Sequence, residues 1–549
     1  MRFSPYIFVV TCLFLMSSCK NDPKTSSYDG ENGTVESASA AEVTELTDSG
    51  EIEDFLEDSP EGSEIIYDPE LVTKFYQGNE FEPVWSKNEL RKALFRNIEN
   101  IEEEGLFFED YHGEKLQKLL ASIVTNSEEE NSLLEILLTD SFLRLAKDLG
   151  NGKLNPKDIY EIWGTPLNEI DAVALLNTAL SEADIDRTLN SVKPDHIVYR
   201  GLKNALKEFK KTNWRNAPAT KIEAGKLIKP GESDDRIFSI TKRLAELGYY
   251  KGSIDSTNTK FNDSIQNALK EFQKEHDLQI DALLGNATIK NLNYTKEDRL
   301  HQLLINLERW RWYPRDLGEH YIIVNIPNYE LSVVKDGDTV RSHKTMVGTQ
   351  VRKTPVFSDE VRYVIYNPTW TIPPTIKKND VIPGASRNPD YLKKKNLQVL
   401  DSDGKLVDPS SINWSSSKAL SYTFRQPAGP SNPLGIVKII YPNEYMIYLH
   451  DTPSKKLFEN NARAESSGCV RVQDALGLAG YLLSDQEQYS DKKIDEILKS
   501  GKTTQIALKQ KVKVHHFYWT AYQKKDTIKF INDIYDLDQK LWSLLKPAA

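Results

Sequence analysis

The chain has almost no cysteine: Cys12, Cys19 and Cys469 are the only three in 549 residues. Thiols so few and so spread cannot build a disulfide framework. With no paired His or Cys ligands beside them, they cannot close a tetrahedral zinc shell either. Long apolar runs are equally scarce, and beyond residue 20 none approaches the roughly 20 residues that a membrane-crossing helix needs. A positive excess is missing as well. The formal net charge of -11 argues against nucleic acid as the main partner. What remains is an ordinary soluble composition, long enough for about three domains and a large catalytic core.

The N-terminus departs from this pattern. In "MRFSPYIFVVTCLFLMSSC", Arg2 precedes an apolar stretch from Tyr6 to Met16, and the small residues Ser17 and Ser18 stand before Cys19. That is the layout of a secretory signal. It resembles a bacterial lipoprotein signal (residues 1–19), although Met16 stands where that pattern prefers leucine. The resemblance implies lipidation at Cys19 and a periplasmic, lipid-anchored location, with the outer membrane as the expected anchor. Residues 20–64 are acidic, with Lys20 and Lys24 as the only basic side chains. Such a segment buries too little apolar surface to order itself, so a disordered tether spanning on the order of 40 Å is expected. Cys12 would leave with the signal and Cys19 would carry lipid, so Cys469 has no intramolecular partner. A free thiol in an oxidising compartment is a liability unless its chemistry is used.

From residue 65 to 228 the pattern is helical. "NSLLEILLTDSFLRLAKDLGNGKLNP" spaces apolar residues three and four apart, until Gly150, Gly152 and Pro156 end the helix. No cluster of acids, bases or metal ligands stands out, and the segment reads as a scaffold. Residues 229–295 form a compact unit of three amphipathic helices punctuated by Gly248, Gly252 and Gly285. After a linker helix the period changes to strand-like alternation in "HYIIVNIPNYELSVVKDGDTVRSHKTMVG", with Asp336-Gly337 as a hairpin turn. Strand signals continue through a domain expected to span 296–500. A polar, Pro- and Lys-rich insertion at about 371–424 interrupts it, the usual place for a lid or substrate loop. Residues 501–549 read as a separate hairpin and helix, with His515 and His516 as sheet residues. The fold class is multidomain α+β.

The segment "YLHDTPSKKLFENNARAESSGCVRV" brings Cys469 within reach of His450. A cysteine nucleophile needs its thiolate, which a neighbouring imidazole supplies by taking the proton and forming an ion pair. His450 ends an apolar strand that can hold its ring. Ser466, Ser467 and Gly468 before the cysteine are small enough for backbone N–H groups to face an incoming carbonyl. Spacing alone leaves a chance proximity open.

"LHDTP" followed by "SSGCVRV" resembles the signature of L,D-transpeptidases with a YkuD-type catalytic domain. "VGTQVRKTPVF", "NPTWTIPPTI" and "RQPAGPSNPLGIVKIIYPN" are similar to the large YcbB-type branch, in which a helical scaffold and a wall-binding domain accompany the catalytic domain. The leucine-glycine-tyrosine turn and "ALKEFQKEHDL" resemble a three-helix peptidoglycan-binding domain, with Ala282 where glycine is common. The resemblance implies Cys469 as nucleophile, His450 as general base and the Asp451 backbone carbonyl as the group orienting His450. It further implies Gly468 and Cys469 N–H groups as an oxyanion hole, and Tyr448, Ser467, Arg471 and Trp370 as residues near substrate. Arg471 is expected to pair with backbone or a carboxylate. Ser467 replaces a histidine common in the wider family, which leaves His450 as the one candidate base. The implied partners are peptidoglycan stem peptides and glycan, the membrane through the N-terminal lipid, and carbapenem-type β-lactams as inhibitors. No metal or organic cofactor is implied. The implied reaction releases D-alanine and forms 3→3 cross-links. Hydrolysis of the same acyl-enzyme, as an L,D-carboxypeptidase, and a non-catalytic wall-anchoring lipoprotein are the competing readings.

Overall fold

The computed structural model describes residues 46–58, 65–211, 219–276, 278–525 and 527–547. The signal, Cys19 and residues 20–45 lie outside them. The helical region is organised around the 24-residue helix Glu128–Asn151. Ser127 and Glu130 close a reciprocal capping box at its start, and Gly152, at φ 81°, ends it. Leu134, Leu137, Leu138 and Phe142 are fully buried along its length. Part of the segment expected to be a tether is instead folded, because Ser49–Asp58 is a helix. Leu46 and Ile52 are buried in the scaffold core, Phe55 and Leu56 pack against it, and the Thr47 and Ser132 hydroxyls lie 2.6 Å apart. A few apolar side chains entering a ready-made groove outweigh an acidic average.

Three helices, Ile237–Glu246, Asp263–Glu275 and Asn286–Asn293, surround their own core of Ile240, Leu244, Leu269 and Phe272. Ala282 is buried there at φ 56°, a left-handed conformation that accounts for the preference for glycine at this point. The next helix, Lys296–Trp312, is a buried pillar. Its Arg309 pairs with Asp538 at 2.7 Å, its Arg311 donates to the Glu104 carbonyl at 2.9 Å, and its Glu308 accepts from Leu154 N–H at 2.8 Å. Scaffold and C-terminal segment are thereby fixed to one element.

In chain order the strands are β1 (Trp163–Gly164), β2 (His320–Asn325), β3 (Glu330–Lys335), β4 (Asp338–Gly348), β5 (Val356–Tyr366), β6 (Trp370–Thr371), β7 (Gln398–Leu400) and β8 (Thr423–Gln426). They continue as β9 (Val437–Ile440), β10 (Leu449–His450), β11 (Ala464–Ser466), β12 (Val470–Val472), β13 (Thr504–Phe517), β14 (Ala521–Lys524) and β15 (Thr527–Phe530). The main sheet runs β1-β5-β13-β2-β3-β4-β12-β10-β9, and β9 pairs back to β5, which closes the path. Asp336 and Gly337, at φ 52° and 86°, form the two-residue turn between β3 and β4.

Two boundaries differ from expectation. β13 is no part of a separate C-terminal unit, since it pairs with both β2 and β5 in the main sheet. Its stretch "KQKVK" carries too many lysines to look like a central strand. The scaffold also contributes β1, which pairs with β5 through Trp163↔Val356 and Gly164↔Phe357. The insertion folds as a cap, with β6, β8 and β7 in a small sheet over a core that includes Val399, Leu392 and Phe424. A π-helical turn, Lys377–Val381, interrupts its helical part.

Candidate active site

β10 lies between β12 and β9, and the register places Lys438, His450 and Arg471 opposite one another on three adjacent strands. Cross-strand neighbours share a face, so two cations flank the imidazole. His450 Nδ1 lies 2.5 Å from the Asp451 carbonyl oxygen. A carbonyl can only accept, so Nδ1 carries the hydrogen and Nε2 keeps its lone pair. Burial, then Arg471 and Lys438, push the imidazole pKa down to about 3 against the opposing pull of that carbonyl.

The Asp451 side chain has a separate task. It accepts from Ile436 N–H at 3.0 Å and pairs with Lys455, which pins the turn before β9. Gly435, at φ 60°, sits so close that a Cβ there would fall 2.2 Å from Asp451 Oδ2.

Cys469 follows Gly468, whose φ of 116° is open to glycine. Ser466 Oγ donates to the Cys469 carbonyl at 2.6 Å and accepts from Gly468 N–H at 3.1 Å. The expected oxyanion donor Gly468 N–H is thus already engaged, whereas no hydrogen bond holds Cys469 N–H among the described residues. Thr354 Oγ1 donates to the Gly468 carbonyl at 2.7 Å, and Tyr535 OH accepts from Thr354 N–H at 3.0 Å. These contacts brace the loop that carries Cys469 from two other parts of the chain.

The thiol faces the Met446 carbonyl at 3.6 Å, with Tyr448 lining the same cavity. No hydrogen bond joins it to His450 in this resting geometry. Burial raises its pKa; Tyr448, Lys438 and Arg471 work against that rise. These shifts favour a neutral thiol and a neutral imidazole at rest.

The other expected residues gather here too. Tyr448 packs edge-on to His450 at 5.6 Å between ring centres and lies under Lys438 Nζ at 3.7 Å. Trp370 brings the cap to the same cavity. Arg471 has no carboxylate partner among the described residues; it approaches Met346 Sδ at 3.8 Å and faces the cavity. Ser467 is exposed and accepts from Arg352 at 3.1 Å, while Arg352 also pairs with Asp380 of the cap at 2.8 Å. Cys469, His450, Tyr448 and Trp370 all line one cavity of about 520 Å³.

Sequence patterning does not point to Lys438, Thr354, Arg352 or Tyr535. Lys438 has the one detectable signal, as the single charge inside the apolar strand "GIVKIIYP". No group of three or more His, Cys, Asp or Glu side chains among the described residues could hold a metal ion. No helix among them is long and apolar enough to cross a membrane.

Comparison with known proteins agrees with this architecture. Residues 319–512 match the YkuD family, described as "L,D-transpeptidase catalytic domain". Residues 70–206 match "Scaffold domain", and residues 233–292 match "Putative peptidoglycan binding domain". A Haemophilus influenzae protein named "Putative L,D-transpeptidase" is 36% identical over 260 residues, covering 46% of this chain and 52% of that protein. The chain thus spans about half the length of the curated relative it matches. The crystal structure of an L,D-transpeptidase from Xylanimonas cellulosilytica covers 54% of this chain and 100% of its own, at 14% identity and a TM-score of 0.17. One from Stackebrandtia nassauensis covers 55% and 97%, at 15% identity and a TM-score of 0.19.

Proposed function

We propose that this chain, which carries a YkuD L,D-transpeptidase catalytic domain with a peptidoglycan-binding domain and a scaffold domain, forms 3→3 peptidoglycan cross-links through a thioester on Cys469. The observation that carries the reading is the tautomer of His450, whose Nδ1 is committed to the Asp451 carbonyl and whose Nε2 is left as a base in the cavity that also holds Cys469.

In the first half-reaction the thiol proton passes to Nε2 and the sulfur attacks the carbonyl carbon between the diamino acid and the terminal D-alanine of a tetrapeptide stem. Lys438 and Arg471 favour the developing negative charge on sulfur. The unengaged Cys469 N–H is the donor available to the oxyanion, a contribution typically of about 3 kcal/mol. The carbon–nitrogen bond breaks, and D-alanine leaves with the proton from the imidazolium. An imidazole held near pKa 3 gives that proton up readily. In the second half-reaction the side-chain amine of another stem attacks the thioester, its proton passes to Nε2, and sulfur recovers a proton as the carbon–sulfur bond breaks.

Carbapenem-type β-lactams acylate the same sulfur in this reading. The signal layout before Cys19 supports export, lipidation and a periplasmic site of action. The test is incubation with disaccharide-tetrapeptide, read by mass spectrometry. Cross-linked dimer and free D-alanine are expected from the native chain and neither from Cys469→Ala; tripeptide without dimer would replace the transpeptidase reading with a carboxypeptidase.

A further inference from the structure

The cavity over Cys469 is walled on one side by residues of the scaffold. Tyr160, Glu161 and Ile162 line it together with Tyr445 and Met446. They stand just before β1, which is held by its pairing with β5 and by the Thr165 and Ser358 hydroxyls at 3.3 Å. Tyr445 lies across Gly164 so closely that a Cβ there would meet its hydroxyl at 2.4 Å. The next residue, Met446, supplies the carbonyl that the Cys469 thiol faces. The cap reaches the cavity by a different route, through Trp370 and through Asp380 on Arg352. The cavity that holds the sulfur is thus lined by cap residues and by scaffold residues together.

The charges of this cavity are unequal. Arg352, Lys353 and Arg471 are cationic, and the carboxylates are Asp380 and Glu161. Asp380 is neutralised by Arg352. Glu161 is exposed and has no hydrogen bond or ion pair among the described residues. A lone carboxylate on a strand-anchored segment, in a cavity otherwise cationic, is a receptor for a cation.

We infer that Glu161, on the scaffold wall, binds the side-chain ammonium of the acceptor stem and marks the acceptor arm of the site. The inference rests on the transpeptidase reading and names the class of its second substrate, a primary alkylammonium on a stem peptide. The ammonium gives one proton to solvent on leaving Glu161 and attacks the thioester as the free amine. The second proton passes by way of His450 to sulfur when the carbon–sulfur bond breaks, and the proton given to solvent is balanced by the one that the released D-alanine amine takes up. Lys353 and Arg471 disfavour the same cation elsewhere in the cavity.

The experiment compares the full chain with Glu161→Gln, Glu161→Asp and, as a charge control on the exposed scaffold surface, Glu169→Gln. Each is given disaccharide-tetrapeptide as donor and acceptor, and Cys469 acylation by meropenem is timed by mass spectrometry. For E161Q the expected result is a rise of about tenfold in the acceptor KM and a shift of product from dimer to tripeptide, with meropenem acylation retained as proof of a folded site. E161D is expected to restore most of the dimer, and E169Q to match the native chain. Native-like dimer yield from E161Q would overturn the inference alone. Absence of dimer from the native chain, with Cys469 still acylated, would overturn the transpeptidase reading and the inference with it.

Discussion

At the scale of single residues, the site depends on where one proton sits. The row Lys438–His450–Arg471 places two positive charges beside an imidazole, which disfavours its protonated form and favours a thiolate nearby. With the imidazole pKa pushed down to about 3 and the thiol raised, the Cys469–His450 pair is expected to hold one proton, on sulfur, across the neutral range. The base is lost only below about 3, and the thiol ionises only above its ordinary range. The rate of Cys469 acylation by meropenem is therefore expected to change by less than about twofold between pH 5 and 8, because no group of the pair titrates there. A step centred near 6.5 would mean an ordinary imidazole. Lys438→Met has two expected effects of opposite use. Removing a cation beside the sulfur should slow acylation by roughly tenfold, the equivalent of about one pKa unit. The same change should move the acid limb of the profile to higher pH, since Lys438 holds the imidazole pKa down. A purely structural lysine would slow the reaction without moving that limb.

At the scale of elements, the paired strands decide what belongs to the catalytic domain. β13 contributes His516 and Phe517 from between β5 and β2, and buries Val512, Val514 and Phe517. A chain ended after residue 500 is expected to lose the near-ultraviolet circular dichroism of its packed aromatics and to fail to react with meropenem, because that cut removes a strand hydrogen-bonded on both sides. A soluble, reactive truncation would mean that β13 is dispensable. Much of this level is legible in the sequence: the Asp336-Gly337 turn, the alternation of "HYIIVNIPNYELSVV", the helix through "NSLLEILLTDSFLRLAKDLG" with its stop at Gly150 and Gly152, and the placement of Cys469 after a small-residue loop. What was hidden has a common cause. The lysines of β13, the two-residue β1 inside the scaffold and the helix Ser49–Asp58 owe their structure to distant partners, and local composition does not record a partner. The same holds within the site. His450 and Cys469 lie close enough in sequence to be noticed together, whereas Thr354 and Tyr535 act across more than a hundred residues.

At the scale of the whole molecule, the peptidoglycan-binding domain is an attachment with its own core, joined to the rest by sparse polar contacts. Lys290 pairs with Asp536 at 3.1 Å, and Asn291 donates to Asn532 at 2.6 Å. Lys290 and Asp536 are about half exposed, and exposed pairs of this kind contribute little, about 0–1 kcal/mol. Removal of residues 219–293 costs the catalytic sheet no strand. The flanking helices already meet, since Lys296 Nζ lies 5.9 Å from the Phe209 ring, so a short Gly/Ser linker can bridge the gap. Such a deletion is expected to keep meropenem acylation of Cys469 near the native rate. Retention on isolated sacculi in a sedimentation assay should fall several-fold, because the linked module no longer adds its local concentration to the catalytic groove. The two readouts divide the possibilities. Undiminished retention would assign wall binding to the catalytic groove alone, whereas lost acylation would give Asp536 a larger role. Its carboxylate also accepts from Gln350, at 2.6 Å, in the loop that carries Arg352 toward Ser467, so that route would connect wall binding to the nucleophile itself.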